Sequence, residues 1–301
     1  LKYIIYKMKF IWNQTYFLMI ITALAWSGNA ITAKGLNDII PPVGLVFWRW
    51  MVAIPILVII AWPHLKYDLK KIRENWKILI VLSFFSITAY NTLLYQGLLY
   101  TTAINSFLIN ASRPMFIVLL SIVFFRNGIN LTQSFGFLLA SLGTVNIIVE
   151  GQVGKLLALD FNIGDLWILG GTICWAIHTV FLRKSPSMHP ASFLAITVTI
   201  GAIILLPFYI WEIIYVAPTP FKLETVGGVL YLAIFASIVA YLCYNRAVEI
   251  AGPNKAGQVS YILPISGTVL AILLLGERIE LFHIIGLPLI LAGIYFGSKD
   301  K

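Results

Sequence analysis

Long apolar runs separated by short polar stretches dominate this chain of 301 residues. The run from 43 to 62, VGLVFWRWMVAIPILVIIAW, contains a single charge and is long enough for one helical crossing of a bilayer. A membrane barrel strand would instead alternate apolar and polar residues over about ten positions. The pattern predicts an all-α membrane protein with ten transmembrane helices, at 15–34, 43–62, 76–99, 102–125, 131–149, 165–183, 190–216, 225–249, 253–275 and 281–297.

Composition excludes a water-soluble globular protein, because 60% of the residues are hydrophobic and only 11% are charged. The connections between the predicted spans are short, so we expect no soluble domain in this chain. The basic start, LKYIIYKMKF, has no small-residue cleavage site after the first apolar run. We therefore expect an uncleaved first helix and not a signal peptide.

The distribution of basic residues predicts the orientation, because Lys and Arg beside short loops stay on the cytoplasmic side. With the amino terminus inside, fourteen of the 21 basic residues lie on the inner side. The outer side holds only Lys34, Lys155, Lys222 and Arg278. Both termini are therefore expected in the cytoplasm. The net charge of +9 is spread along one membrane face, which argues against a nucleic-acid partner.

An internal repeat organises the chain. Three residue pairs share one spacing of 150 positions, namely Pro114 with Pro264, Gly136 with Gly286, and Gly143 with Gly293. The repeat predicts two five-helix halves, 1–149 and 165–301, joined by an external linker at 150–164. A unit with an odd number of spans inserts its second copy upside down, so we expect two inverted repeats around a central cavity, which is a transporter architecture.

The first span also carries a family resemblance. The stretch LAWSGNAITAKGL at 24–36 resembles the Trp-Gly-Ser-Asn-Phe…Lys opening of the EamA family, in the drug/metabolite transporter superfamily. Stretches 100–124 and 251–296 resemble the helix-four and helix-nine signatures of that family. The resemblance covers essentially all of the chain and implies a ten-helix carrier with two inverted repeats, a central cavity and small metabolites such as amino acids as common substrates.

The first half departs from the family pattern at one motif. Arg126-Asn127-Gly128 stands in the first half where the second half has Gly276-Glu277-Arg278. We therefore do not expect the two halves to share the role of Glu277.

Paired aromatic and polar residues are the first candidates for the substrate site. Trp26 with Asn29, and Trp175 with His178, are each three residues apart and share a helix face. A shift of 149 positions places one pair over the other. An indole supplies a flat apolar wall, and Asn or His supplies a polar anchor, which suits an amino-acid-like solute. The alternative is helix packing and interfacial anchoring of the tryptophans.

The third and eighth predicted spans carry matching polar pairs. Asn91 and Tyr95 are spaced i,i+4 on the third span, as are Tyr241 and Asn245 on the eighth. A shift of 150 positions places Asn91 over Tyr241 and Tyr95 over Asn245, so the two pairs occupy equivalent positions with the order of amide and phenol reversed. We expect either a site built from both halves or interhelical hydrogen bonds, which average about 0.6 kcal/mol each.

Two polar stripes follow on the fourth and ninth spans. The fourth carries Ser106, Asn110 and Arg113, and the ninth carries Asn254, Gln258 and Tyr261. The stripes do not coincide under the repeat, so the predicted specificity is asymmetric.

Arginines inside apolar spans need partners or water, because one at mid-membrane costs roughly 2.5–3.5 kcal/mol on the mildest scale. Arg113 precedes Pro114 at a predicted kink, where it could present a cation to a substrate carboxylate or bind backbone carbonyls. For Arg49 we favour snorkelling or a carbonyl partner over a substrate role. Arg246 and Glu249, three apart, are expected to form a local pair.

Other function classes lack their residue patterns. There is no His-Glu-x-x-His and no Gly-x-Ser-x-Gly, so we predict no enzyme activity, no cofactor and no metal. Cys174 and Cys243 are read as buried thiols. A channel would need charged rings or a filter sequence. A nucleotide-sugar carrier of the same superfamily stays an alternative, but its anionic substrate would call for more buried basic residues.

The sequence therefore predicts a secondary transporter in a bacterial cytoplasmic (inner) membrane. We expect it to move a small organic metabolite such as an amino acid by alternating access, as an exporter or exchanger. Its expected partners are the substrate and the lipid bilayer. The glycines at 136, 143, 286, 293 and 297 predict close helix packing or a homodimer contact, so monomer and homodimer both stay open, as do the substrate and the coupling ion.

Overall fold

The computed structural model describes residues 14–126, 131–158, 160–251 and 259–297. All regular elements in these ranges are helical. The long helices are α1 Thr15–Gly35, α2 Pro42–Glu74, α3 Trp76–Leu98, α4 Ala103–Phe125, α5 Leu131–Ile148, α6 Ile163–Lys184, α7 Pro190–Tyr215, α8 Leu223–Ala251, α9 Val259–Leu275 and α10 Leu281–Gly297.

Length and composition qualify most of these helices as membrane spans. Within the described ranges, the eight helices α1 to α8 are long and apolar enough to cross a bilayer. The apolar part of α9, Ile262–Leu275, and all of α10 are shorter. The chain is thus a multi-pass membrane protein, and the prediction of ten spans stays a prediction for α9 and α10.

Two segments that were predicted as connections contain helix. The helix α2 continues through Pro63 to Glu74 and has 33 residues. At about 1.5 Å per residue it is about 50 Å long, more than the roughly 30 Å of bilayer hydrocarbon, so its last turns extend beyond the core. A proline removes only one backbone hydrogen bond of the helix, so the neighbouring turns hold. The 150–164 segment contains a short helix, Val153–Ala158.

Three helices are irregular near the middle of the bundle. Helix α4 is divided at Ser112 into Ala103–Ala111 and Arg113–Phe125, which agrees with the predicted kink. Helices α3 and α8 contain π-helical segments, Phe84–Ala89 and Leu232–Val239. A shift of 150 positions places the first segment inside the second. A π-helical turn rearranges backbone carbonyls and is frequent at functional sites.

Helices α2 and α7 cap each other with carboxylates. Glu212, near the end of α7, accepts the backbone N–H groups of Val43 (2.9 Å) and Gly44 (2.6 Å) at the start of α2. Asp68, near the end of α2, accepts the N–H of His189 just before α7 (3.1 Å). Each carboxylate satisfies donors that the helix itself leaves free and lies at its positive end. The two helices therefore run antiparallel.

Helices α5 and α10 pack through glycines. Gly136 lies against Gly293 and Gly297, and Gly143 lies against Gly286, so these two helices also run in opposite directions. Helix backbones approach this closely only where side chains are absent. The predicted close-packing face is thus used within the chain.

The packing partners follow the exchange of the two halves. Helix α1 packs on α8 and α9, while α6 packs on α3 and α4. In the two halves, α1 corresponds to α6, α3 to α8 and α4 to α9. Exchanging each helix for its counterpart therefore converts one group of contacts into the other.

The bundle has two chemically different ends. The basic end holds Lys71 and Lys184, and Lys71 Nζ donates to Ser187 O there. The acidic end holds Glu212 and Glu277, which cap the starts of α2 and α4.

Candidate substrate cavity

A small polar and aromatic cavity lies between the helices of the two halves. Its volume is about 50 Å³. Five residues of the predicted site line it from the first half and two from the second: Trp26, Asn29, Asn91, Asn110 and Arg113, with Trp175 and Tyr241. Arg49, Tyr90 and Ser106 also line it. By the usual need of about 10–15 Å³ per water, this volume has room for a few waters.

Arg49 lies at the centre of a buried hydrogen-bond network at one side of the cavity. Its Nη1 donates to Asn29 Oδ1 (2.9 Å), Asn91 Oδ1 (3.0 Å) and Tyr95 Oη (2.9 Å). Its Nε donates to Ser237 Oγ (2.7 Å). The side chain is only 3% exposed, and its partners come from α1, α3 and α8. Neutral oxygens, not a carboxylate, therefore solvate this cation.

The π-helical segments hold two of these partners in place. Asn91 Nδ2 donates to the carbonyls of Ser86 (2.8 Å) and Ile87 (3.1 Å) in the α3 segment, which turns Asn91 Oδ1 toward Arg49. Ser237, inside the α8 segment, donates its hydroxyl to Leu232 O (2.9 Å) and accepts from Arg49. The rearranged turns thus supply the local acceptors that orient the site.

Arg113 lies on the other side, just after the break in α4. Its Nη2 donates to Asn110 Oδ1 (2.7 Å) and Tyr90 Oη (3.0 Å). Its guanidinium carbon lies 5.2 Å from the centre of the Tyr90 ring and 5.0 Å from that of Trp175. Among the described residues, its buried Nε has no hydrogen-bond partner. Arg113 is therefore held by two aromatic rings, a phenol and an amide, and its Nε remains available as a hydrogen-bond donor.

Aromatic pairs form two walls. Trp26 of α1 contacts Tyr241 of α8, with ring centres 5.7 Å apart. Trp175 of α6 contacts Tyr90 of α3, with ring centres 4.9 Å apart. Each wall joins one helix of the first half to one of the second, and exchange of the halves relates the two walls.

Not every predicted site residue lines the cavity. Tyr95 lies behind it and donates to Asn29 Oδ1 (2.6 Å). His178 Nδ1 lies 3.0 Å from Leu82 O, so this ring contacts the α3 backbone, and His178 is not among the residues that line the cavity. Asn245 is not among the described lining residues. Gln258 and Asn254 lie outside the described residues, and so does the side chain of Tyr261.

The central position of Arg49 and the participation of Tyr90 were not predicted from the sequence. Arg49 is the single charge in the apolar run from 43 to 62, and a charge that is not at a span end was a usable signal. A shift of 150 positions aligns Tyr90 with Ala240, so the repeat in the sequence did not select Tyr90.

A larger water-accessible vestibule opens at the acidic end. Its volume is about 800 Å³, and Lys34, Thr101, Asn105, Glu277 and His283 are among the residues that line it. Asn105 faces the vestibule, and the next residue, Ser106, faces the cavity, so less than one turn of α4 separates the two spaces.

Metal chemistry has no ligand cluster in the part of the chain that the structure describes, where no three His, Cys, Asp or Glu side chains come together. The cavity instead offers cationic donors, amides and aromatic faces, which suit an organic solute.

Comparison with known families places the chain. The EamA-like transporter family matches twice, at residues 13–149 and 162–298. The chain belongs to this family. It is thus an EamA-type transporter, and residues from both matched segments line the cavity.

Individual relatives agree with that assignment. An uncharacterized transporter of Archaeoglobus fulgidus is 30% identical over 293 residues, which is 96% of this chain and 99% of the relative. A probable amino-acid metabolite efflux pump of Escherichia coli is 25% identical over 289 residues and 92% of each chain. One solved crystal structure is 16% identical with a TM-score of 0.62, covering 94% of this chain and 96% of the other, which supports the fold.

Proposed function

We propose that this transporter is a carrier of small carboxylate-bearing metabolites of the amino-acid type, and that it exports or exchanges them by alternating access. The observation that carries the proposal is the charge of the cavity. Arg49 and Arg113 both line it, and no carboxylate among the described residues lies within 4.0 Å of either. Two cations without a protein anion favour an anionic group on the solute.

The hydrogen-bond inventory favours the same solute. The hydrogen bonds of Arg49 use its Nε and Nη1, and Asn29 accepts through its Oδ1, so this network leaves Arg49 Nη2 and Asn29 Nδ2 unused. Among the described residues, the buried Arg113 Nε has no hydrogen-bond partner. All three atoms are donors, and a carboxylate is an acceptor-only group. The aromatic walls of Trp26 and Trp175 suit the apolar part of a small metabolite. The printed name of the Escherichia coli relative refers to amino-acid metabolites and supports this substrate class.

Alternating access requires two halves that can exchange conformations, and the packing supports ten spans in two inverted repeats, 1–149 and 165–301. Equivalent helices run antiparallel in two pairs, α2 with α7 and α5 with α10, as an axis in the membrane plane requires. The π-helical segments of α3 and α8, at matching positions, are suitable hinges beside the cavity.

Orientation follows from the charges at the two ends. We propose that the basic end faces the cytoplasm of a bacterial cell, with both termini there. Reporter fusions after Lys70 and Lys184 then read cytoplasmic, and fusions near Asp160 and Glu224 read external. One reversed pair contradicts the arrangement.

The experiment that tests the transport proposal is counterflow in liposomes that contain the purified protein. The probe is a radiolabelled mixture of the protein amino acids, and chromatography of the accumulated label identifies the substrate. We expect accumulation by the wild type and by Arg183→Gln, a control arginine at the basic end, and none by Arg113→Gln. Accumulation of a labelled nucleotide sugar instead of amino acids would move the chain to the nucleotide-sugar carriers of the same superfamily.

A further inference from the structure

A fully buried carboxylate lies at the acidic end, outside the substrate cavity. Asp165, in the first turn of α6, has 0% exposure. Thr101 Oγ1 donates to its Oδ1, and Asn105 Nδ2 lies 3.2 Å from each of its oxygens. Within the described ranges, no Lys, Arg or His nitrogen lies within 4.0 Å of it. Among the described residues, the direct contacts that stabilise a charge at this position are therefore neutral donors, together with the start of α6.

The directions of the hydrogen bonds in this network follow from one backbone group. The N–H of Glu280 points at His283 Nδ1 (2.9 Å), and a backbone N–H can only donate. A neutral His283 ring therefore carries its hydrogen on Nε2, which donates to Asn105 Oδ1 (2.8 Å). The Asn105 amide must then turn its NH₂ toward Asp165. Asp165 must therefore accept a hydrogen bond from Asn105 Nδ2, as an ionised carboxylate does.

The vestibule connects this network to solvent, because Thr101, Asn105 and His283 all line it. The other charged groups that line the vestibule are bound to other partners or lie more than 4.0 Å from Asp165. Glu277 accepts the N–H groups of Ala103 and Ile104, and Glu150 pairs with Lys155 at 2.7 Å. The remaining charges that line the vestibule are those of Lys34, Arg278 and Glu280.

We propose that Asp165 is a proton-binding site, and that Asn105 and His283 transmit its protonation to the loop before α10. A proton from vestibule water adds to a carboxylate oxygen of Asp165, and the new O–H needs an acceptor. The Asn105 amide turns over, so that its Oδ1 accepts from Asp165 and its Nδ2 donates to His283 Nε2. The imidazole gives up its Nε2 hydrogen and takes one on Nδ1 through water, and no net charge is gained in this step.

The last step breaks a bond. The Nδ1–H of His283 then faces the N–H of Glu280, and two donors cannot bond to each other. The released loop, 276–280, also carries Glu277, which caps the start of α4 beside the cavity. The proton thereby acts on the wall between vestibule and cavity. Its use as the coupling ion rests on the proposed transport function, whereas its binding does not.

Infrared difference spectroscopy on the purified protein in lipid vesicles tests the binding directly, without a substrate. We expect the carbonyl band of a protonated carboxylic acid at low pH in the wild type and its loss as the pH rises. Asp165→Asn removes the contribution of Asp165 to this band. Glu212→Gln is the matched control, because Glu212 is also buried, at 3% exposure, but accepts two backbone N–H groups. An unchanged titrating band in Asp165→Asn overturns the proposal.

Hydrogen exchange at the loop tests the transmission. The Asn side chain in Asp165→Asn can donate to Asn105 Oδ1 as the protonated acid does, so this variant mimics the protonated form. At one fixed pH we expect exchange of the Glu280 amide to be at least about tenfold faster in Asp165→Asn than in the wild type or in Glu212→Gln. Equal exchange rates overturn the relay.

A second variant keeps the proposal testable if Asp165→Asn does not fold. Asn105→Leu leaves Asp165 in place and removes the amide that connects it to His283. We expect the titrating infrared band to persist while loop exchange loses its dependence on the protonation of Asp165, judged against an exposed-loop amide of the same protein. A pH-dependent step at Glu280 that persists in Asn105→Leu contradicts the relay. Both experiments are independent of transport, so their failure is distinguishable from failure of the proposed function.

Discussion

The guanidinium carbon of Arg113 lies 5.0 Å from the centre of the Trp175 ring, so a cation from the first half of the chain rests on an aromatic face from the second. Such a contact is worth about 0.5–2 kcal/mol or more, depending on desolvation. It depends on the relative position of α4 and α6. A movement of one half against the other therefore changes the environment of the cation that we assign to the substrate carboxylate.

The buried network around Arg49 predicts a large effect of a conservative substitution. Arg49→Lys keeps the charge but replaces a fork, whose Nε and Nη1 reach Ser237 and Asn29 separately, by one ammonium group. We expect a loss of about 1.5–3 kcal/mol in the free energy of unfolding, because hydrogen bonds to a charge are lost in a buried site. Thermal or denaturant unfolding in detergent measures it. Arg183→Lys is the control, and equal stability of the two variants would contradict the assignment.

The glycine contact between α5 and α10 predicts opposite effects of one substitution at two sites. In Gly136→Ala the new methyl group would meet the backbone nitrogen of Gly297 and lie 2.6 Å from Gly293 O, so the helices must separate. In Gly227→Ala no heavy atom lies within 4 Å of the new methyl group, and alanine stabilises a helix by roughly 0.5–1 kcal/mol relative to glycine. We expect a lower unfolding temperature for the first variant and an equal or higher one for the second. The same sign for both would refute close packing at Gly136.

The reciprocal caps predict two independent stability losses. Glu212→Gln leaves a neutral acceptor at the start of α2, and Asp68→Asn does the same at the start of α7. Each is expected to cost about 0.5–2 kcal/mol. The sites lie at opposite ends of the helix pair, so the losses in the double variant should add within about 0.5 kcal/mol. Strong non-additivity in unfolding experiments, or no loss in either single variant, speaks against these caps.

The basic end predicts a pH-dependent contact. The imidazole rings of His64 and His189 are stacked with centres 3.5 Å apart. Burial and the neighbouring His64 lower the pKa of His189 below its usual value, although Asp68 opposes this. The unfolded chain therefore takes up a proton before the folded protein does, so the contact stabilises above about pH 6.5 and weakens as the pH falls.

The measurement for this contact is the unfolding temperature as a function of pH. We expect the wild type to lose stability more steeply below about pH 6.5 than His64→Gln, which lacks the second imidazole. Parallel curves for the two proteins would show that the stack carries no pH dependence.

Hydrophobic pattern alone predicted most of the helices, because a span of the bilayer requires a long apolar run whatever its neighbours are. The ends of α2 show the limit of that argument. Lys66, Lys70 and Lys71 interrupt the apolar run, but helix formation beyond the membrane depends on hydrogen bonds and on caps such as Asp68, not on hydropathy. The predicted span therefore ends 12 residues, about three turns, before the helix does.

The candidate site could be predicted in part because polar residues in apolar spans must face protein or water. That argument selects residues but gives no rotation about the helix axis. Trp175 and His178 share a face by spacing, yet Trp175 lines the cavity and His178 binds the α3 backbone. Arg49 was assigned a peripheral role because its acceptors, Asn29 and Ser237, are far from it in sequence and only the fold brings them together.

The central claim is that Arg113 recognises a substrate carboxylate in the cavity. A thermodynamic cycle that changes both the substrate carboxylate and Arg113 tests this claim most directly. The amino acid identified by counterflow and its amide, which lacks the carboxylate charge, are titrated into the wild type and Arg113→Gln in lipid vesicles, with tryptophan fluorescence as the signal. We expect the wild type to bind the acid at least about tenfold more tightly than the amide, a difference of about 1.4 kcal/mol, and Arg113→Gln to bind both alike. An undiminished preference of Arg113→Gln for the acid would contradict the account.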